Sequence, residues 1–255
     1  VGSTTITITA TDGSGNSSTA TKNVVVVDTI SPSITAPSAV TLSLGAGGSV
    51  TLPGNTASAT DNCGATTLTY SETSFNCSDI GTTNVVVTAT DANGNDSEAT
   101  IAVTVQDVIN PTLALVSSGV TLALDANGSA SLTTSQVVSS VSDNCSGVTV
   151  SVSPSSFGCS DLGSNTVTVT ATDASGNTTV ETGTVTVVDL IAPAITTVSS
   201  AVTTYLNGSG VATISQLDVV ATATDNCTLA PTVSLSATSF SCSEVGSNTI
   251  TITAI

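Results

Sequence analysis

Carboxylates return at fixed places along this chain. Most of its 18 acidic residues fall into four recurring slots. These are D-x-x-x-P (Asp28, Asp107, Asp189), Asp-Asn-Cys (Asp61, Asp143, Asp225), Cys-Ser-acid (Asp79, Asp161, Glu244) and T-D-x-x-G-N (Asp12, Asp91, Asp173). Charge that only solubilised the surface would not keep such a register. Amides accompany two of the slots: Asn62, Asn144 and Asn226 follow the Asp-Asn-Cys aspartates, and Asn16, Asn95 and Asn177 close the T-D-x-x-G-N loops. Carboxylate, amide and backbone carbonyl oxygens, without His or thiolate, form the hard donor set that suits Ca²⁺. In one stretch the candidate ligands are Asp28, Asp61, Asn62, Asp91 and Asn95; in the next they are Asp107, Asp143, Asn144, Asp173 and Asn177. Asp12 with Asn16, and Asp189 with Asp225 and Asn226, are partial copies. The competing reading is that Asp and Asn here only build Asx-turns and tolerate left-handed backbone. Three converging carboxylates would repel one another without a cation, which favours the ion.

Other chemistry is excluded or disfavoured by composition. With no His, every His-based triad and His metal site is absent. Paired carboxylates serve glycoside hydrolysis, but a constellation repeated identically along the chain points to structure, and no enzyme activity is expected. One basic residue, Lys22, in a chain of net charge −17 cannot grip a phosphate backbone, so nucleic acid is not an expected partner. No apolar run approaches the ~18–20 residues of a membrane span, so no membrane insertion of this segment is expected.

The six cysteines keep the same rhythm, in DN-Cys and F-x-Cys positions. An even count, regular spacing and no His favour disulfides over zinc and imply an oxidising, extracellular setting. Pairing within each repeat is expected (Cys63–Cys77, Cys145–Cys159, Cys227–Cys242), with free structural thiols as the alternative. There is a tension in this pairing. A straight strand between Cys63 and Cys77 would carry them far apart, so the pairing demands a reversal, at "SETS" (71–74) or "SPSS" (153–156).

These residues are positioned by a repeat. "VGSTTITITATD" (1–12) returns as "IGTTNVVVTATD" (80–91) and "LGSNTVTVTATD" (162–173), and begins again as "VGSNTITITA" (245–254). "TDNC" (60–63), "FNCSDIG" (75–81) and "VVVVDTISP" (24–32) recur with the same period of about 80 residues. Boundaries fall near D-x-x-x-P, where Pro ends regular pairing. We therefore read 1–27 as the C-terminal part of a truncated module, 28–106 and 107–188 as complete modules, and 189–255 as a truncated module, in a window from a longer array. Strict alternation in "TITITAT" and "TVTVTAT" predicts half-buried strands with Thr on one face and Ile or Val on the other. The Thr rows suit a solvated face or, as a second reading, an ice-binding one. Gly-rich turns such as "GAGGS" (45–49) and "DANGS" (125–129) predict hairpins. Many short strands with no helical period predict an all-β fold: tandem Ig-like or fibronectin-III-like β-sandwich modules forming an elongated rod. In such a module the strand after the linker runs away from the N-terminal pole and a Gly-rich turn brings the chain back. Linker Asp, DN loop and T-D-x-x-G-N loop then converge at that pole.

The succession D-x-x-x-P, D-N-C, F-x-C-S-D-x-G and T-V-T-V-T-A-T-D-x-S-G-N resembles the hyalin-repeat (HYR) family of Ig-like modules. It is most similar to the versions repeated in tandem in giant surface adhesins of gliding and other Bacteroidota. The resemblance covers essentially the whole chain. It implies an extracellular, adhesion-related architecture whose partners are neighbouring repeats of the same chain. The function expected is a stalk or filament segment stiffened by disulfides and Ca²⁺. A multivalent module binding surface glycans or other cell-surface proteins is the alternative, although Tyr70 and Tyr205 are the only tyrosines and occupy non-equivalent places.

Overall fold

The computed structural model describes residues 2–255, and its regular structure is mainly β-strand, with only short helical turns besides. Strands β1 (Gly2–Thr11) and β2 (Ser17–Val26) form a hairpin in register from Gly2↔Val26 to Thr11↔Ser17, with every residue of both strands exposed. The next eight strands are β3 (Ser33–Thr35), β4 (Ala39–Ser43), β5 (Ser49–Thr51), β6 (Ser58–Thr60), β7 (Thr66–Tyr70), β8 (Ser74–Asn76), β9 (Gly81–Asp91) and β10 (Asp96–Gln106). They make a sandwich. One layer is the four-stranded sheet β4-β10-β9-β7, with β4 parallel to β10 and the other pairs antiparallel. The short pairs β3-β6 and β5-β8 face it.

The core follows from the alternation in β9 and β10. Val85, Val87 and Ala89 of β9 and Ile101, Val103 and Val105 of β10 turn inward against Leu42, Leu52 and Phe75. Each of the Val, Ile, Leu and Phe side chains contributes roughly 1.5–3 kcal/mol on leaving water, which lets a chain poor in aromatics hold a sandwich together. The "GAGGS" stretch does not make a hairpin. It folds as a tight turn, with Gly45 N–H donating to the Ser49 carbonyl and Gly48 N–H to that of Gly45. The strands it joins, β4 and β5, pair with β10 and β8. The turn thus carries the chain from one layer to the other.

The same plan recurs in β11 (Thr112–Leu115), β12 (Val120–Ala123), β13 (Ser129–Ser131), β14 (Val138–Ser142), β15 (Thr149–Ser153), β16 (Ser156–Gly158), β17 (Gly163–Thr172) and β18 (Thr178–Val188). The main sheet is β12-β18-β17-β15, with pairs β11-β14 and β13-β16. Val167, Val169, Val185, Val187 and Phe157 repeat the core. Last come β19 (Ala194–Thr197), β20 (Val211–Thr213), β21 (Val220–Thr224), β22 (Val233–Leu235), β23 (Ser239–Ser241) and β24 (Ile252–Ala254), in three two-stranded pairs. By contact the chain divides into two units: 2–111 with 142–148 and 173–177, and 112–141 with 149–172 and 178–255. No helix among the described residues is long and apolar enough to cross a membrane.

Candidate metal centre

The inward row of β9 runs Val85, Val87, Ala89 and ends on Asp91. Alternation alone therefore stands this carboxylate where the core runs out, and it is only 8% exposed. Residue Asp173 prolongs the row Val167, Val169, Ala171 in the same way and is 6% exposed. At each pole two more aspartates arrive, one from the linker and one from the DN loop. Asp28, Asp61 and Asp91 each place a carboxylate oxygen within 4.8 Å of the other two, and Asp107, Asp143 and Asp173 do the same.

The loops are braced from within. Asp91 accepts from the N–H groups of Asn93 and Asn95, both at 2.8 Å, and from the Asn95 side-chain amide at 2.8 Å. Asp173 accepts identically from Ser175, Asn177 and the Asn177 amide. Burial disfavours ionisation of both aspartates. The Asn95 and Asn177 side chains and the loop N–H donors outweigh it, holding both carboxyls below the ordinary aspartate range and charged at neutral pH.

These bonds correct one part of the predicted ligand set. The amide nitrogen of Asn95 donates both to Asp91 and to the Asp28 carbonyl at 3.3 Å, and that of Asn177 both to Asp173 and to the Asp107 carbonyl at 3.2 Å. Both partners are acceptors, so the NH₂ group must face them. Asn95 and Asn177 are struts between loop and linker and offer no inward oxygen. Asp12 and Asn16 form the same loop, with the Asn16 amide donating to Asp12 at 2.9 Å, on the exposed β1–β2 hairpin. The loop folds there without joining a cluster, so Asx-turn chemistry accounts for its shape.

What the turn chemistry leaves over is a set of buried oxygens. Among the described residues, Asp61 Oδ1, Asp107 Oδ2, Asp143 Oδ1, Asn144 Oδ1, Asp225 Oδ1 and Asn226 Oδ1 are buried and accept no hydrogen bond. Orphaned oxygens of this kind demand a counter-charge or donor. Three of them belong to the Asp107–Asp143–Asn144 group, where Asp107 is 6% exposed. A cation bound by oxygen fits this set. Asn62 is exposed, with its amide nitrogen 3.1 Å from Cys63 Sγ, and is less committed to the pole than Asn144. In the last repeat the Asn226 amide donates to Asp189 Oδ1 at 3.1 Å, so Asn226 and Asp189 also meet.

The cysteines do not pair as predicted. Disulfides join Cys77 to Cys145 and Cys159 to Cys227, while Cys63 and Cys242 are free and exposed. The reversals invoked for Cys63–Cys77, Cys145–Cys159 and Cys227–Cys242 do not return the chain. Strand β7 leads away from the Cys63 loop, and Cys77 follows β8, which pairs with β5 beside the 45–48 turn. There the next DN loop meets it. Cys77 Sγ lies 3.5 Å from the Asn144 carbonyl, and the Asn144 amide reaches the Gly45 carbonyl at 3.4 Å. The second bridge repeats this, with the Asn226 amide 3.1 Å from the Asp125 carbonyl. Both bridges span 68 residues. The Cys-Ser-acid slot closes the turn that carries the first cysteine: Asp79, Asp161 and Glu244 accept from the N–H of Asn76, Gly158 and Ser241 at 2.7–2.8 Å.

Two glycines of the stretches predicted to make hairpin turns, "GAGGS" and "DANGS", serve the bridges instead. Gly48 has φ +69°, and a Cβ on it would lie 2.6 Å from the Asn144 carbonyl oxygen. Gly128, at φ +70°, would clash at 2.6 Å with Cys159 Sγ. Only glycine lets the turn approach the bridge.

No family model matches the sequence, and no curated protein matches it. The solved structures similar to it include cadherin ectodomains. Protocadherin gamma B7 extracellular cadherin domains 1–4 align at 17% identity and TM-score 0.28, over 72% of this chain and 57% of that one. Mouse cadherin-23 EC22-24 aligns at 14% identity and TM-score 0.33, over 64% and 69% respectively. Human protocadherin-24 EC1-2 aligns at 17% identity and TM-score 0.33, over 63% and 100%. The chain thus spans little more than half the length of the protocadherin gamma B7 fragment. Identities this low, with TM-scores below 0.5, assign neither family nor function.

Proposed function

We propose that this chain is a structural repeat segment of an extracellular, adhesion-type protein of the hyalin-repeat kind, with modules 28–106, 107–188 and the partial 1–27 and 189–255; a disulfide couples 28–106 to 107–188 and 107–188 to 189–255, and a Ca²⁺ ion binds at the Asp107 pole. The observation that carries this reading is the coincidence of two devices at residues 142–148. This loop brings Cys145 to Cys77 and Asp143 with Asn144 to Asp107 and Asp173. Asp107, Asp143, Asp173 and the Asn144 oxygen would hold the ion. Bound there, it would supply the positive charge that lets three carboxylates share one pole. The chain's own residues do the rest. Asn177 fixes the T-D-x-x-G-N loop to the linker, and Asn144 fixes the DN loop to both the linker and the preceding turn. Two disulfides fit an oxidising, extracellular setting.

Calcium added to the chelated protein should raise the melting temperature, and magnesium, which demands a tighter octahedral site, should raise it less. An unchanged melt with both ions would remove the metal from the proposal and leave the disulfide coupling.

A further inference from the structure

The two bridges redraw the covalent route through the chain. Cys77–Cys145 and Cys159–Cys227 bring residues 68 positions apart to Cα separations of 5.6 Å and 5.2 Å. A pull along the chain reaches Cys77, crosses to Cys145, follows residues 145–159 and crosses again from Cys159 to Cys227. Residues 78–144 and 160–226 are closed loops beside this route. A long stretch of backbone whose ends are fixed so close together stays slack, so the loops bear no tension while the bridges hold.

Burial sorts what lies inside the loops. Strands β9, β10, β17 and β18, whose inward valines are 0–1% exposed, belong to them. So does the second oxygen cluster, with Asp107, Asp143 and Asn144 in 78–144 and Asp173 in 160–226. Between the bridges the only strands on the route are β15 and β16. Strand β15 is an edge strand, paired with β17 from Thr149↔Thr172 to Ser153↔Thr168, and β16 pairs with β13 over Ser156–Gly158.

We infer that these modules carry tension through a covalent strap, formed by the two disulfides and residues 145–159, while β9, β10, β17, β18 and the oxygen cluster carry none. The inference rests on the disulfide coupling proposed above and is independent of its calcium. At ~3.3–3.6 Å per extended residue, the strap between Cys145 and Cys159 can lengthen to about 50 Å, whereas each loop, once opened, would release roughly 230 Å. A repeat bridged in this way lengthens by a small fraction of its own contour, and its oxygen cluster stays assembled under load. The strap suits a stalk that must transmit a pull without releasing chain.

The whole chain, held by peptide tags at its two ends, can be unfolded by force after its bridges are mapped by peptide mass. Oxidised wild type should release about 460 Å less length than the reduced chain. C145S should recover roughly 230 Å of this, C227S the same, and the double variant all of it. These lengths hold even for a variant that folds poorly, because covalent topology sets them. The same lengths are expected in calcium and in chelator, which separates the strap from the metal. Equal lengths for oxidised and reduced chains with both bridges mapped, or a length that changes on chelation, would overturn the strap and leave the disulfide coupling standing. A map lacking the bridges would overturn both.

Discussion

The pole at Asp28, Asp61 and Asp91 and the pole at Asp107, Asp143 and Asp173 are made from the same three slots, yet they are finished differently. At the second, Asp107 is buried, three side-chain oxygens are orphaned, and the DN loop is pinned to Cys77 and the 45–48 turn. At the first, Asp28 and Asp61 are half-buried, only Asp61 Oδ1 is orphaned, and Cys63 is free. There the Asp28 carboxylate accepts from the Cys63 thiol and, with burial and nearby negative charge, raises the thiol's pKa. The difference shows what completes a site. The carboxylates come from one repeat and its linker, but their burial comes from the turn and cysteine of the repeat before.

Removing the bridge should therefore have the largest effect. A C145S chain loses the constraint on a loop of 68 residues, about 4 kcal/mol in the chain-entropy model. Its second pole should come to resemble the first, which hydrogen exchange of residues 142–148 would show. G48A comes next. Left-handed strain alone costs roughly 1–2 kcal/mol, and the added Cβ also meets the Asn144 carbonyl at 2.6 Å. In G210A the Cβ meets only the free, exposed Cys242 Sγ at 2.9 Å, so thermal melts should rank G48A as the more damaging.

Calcium at tenfold excess over its Kd should stabilise an occupied site by ~1.4 kcal/mol, and D107N should abolish that part of the gain while the Asp28 pole is unchanged. A smaller contrast separates the two turns. Asp125 accepts from Ser129 and Asn127 N–H groups, which hold its pKa below the ordinary value, whereas Gly45 stands in its place in the first turn. A lowered folded pKa favours the fold above the unfolded value of about 3.9 and loses that contribution as pH falls through the folded value. Wild type should thus lose more melting temperature than D125N on acidification below about pH 4. The smallest effect is expected for C63S, whose melt should match wild type, because Cys63 closes no bridge.

Much of this was legible in the sequence, for local reasons. Alternation in β9 and β17 places valines inward and Asp91 and Asp173 at the row's end, and the recurring slots pick out the carboxylates that meet. Two features were not legible. Asn95 and Asn177 look like oxygen ligands until their hydrogen bonds show the amide nitrogen turned inward. The cysteine pairing depends on where β7 delivers the chain, which no local pattern encodes. One signal was nonetheless present. The two bridged pairs are separated by an identical 68 residues, whereas the within-repeat spacing is one residue longer for Cys227 and Cys242 than for the earlier pairs.

The central claim is that sequence-distant oxygens of Asp107, Asp143, Asn144 and Asp173 hold a divalent ion. Calorimetric titration of the chelated, disulfide-intact chain with Ca²⁺ tests it directly, with D107N as the control. Saturable heat in the wild type, with one class of site missing from D107N, is the predicted result. No binding heat in the wild type, or identical isotherms for the two proteins, would contradict it.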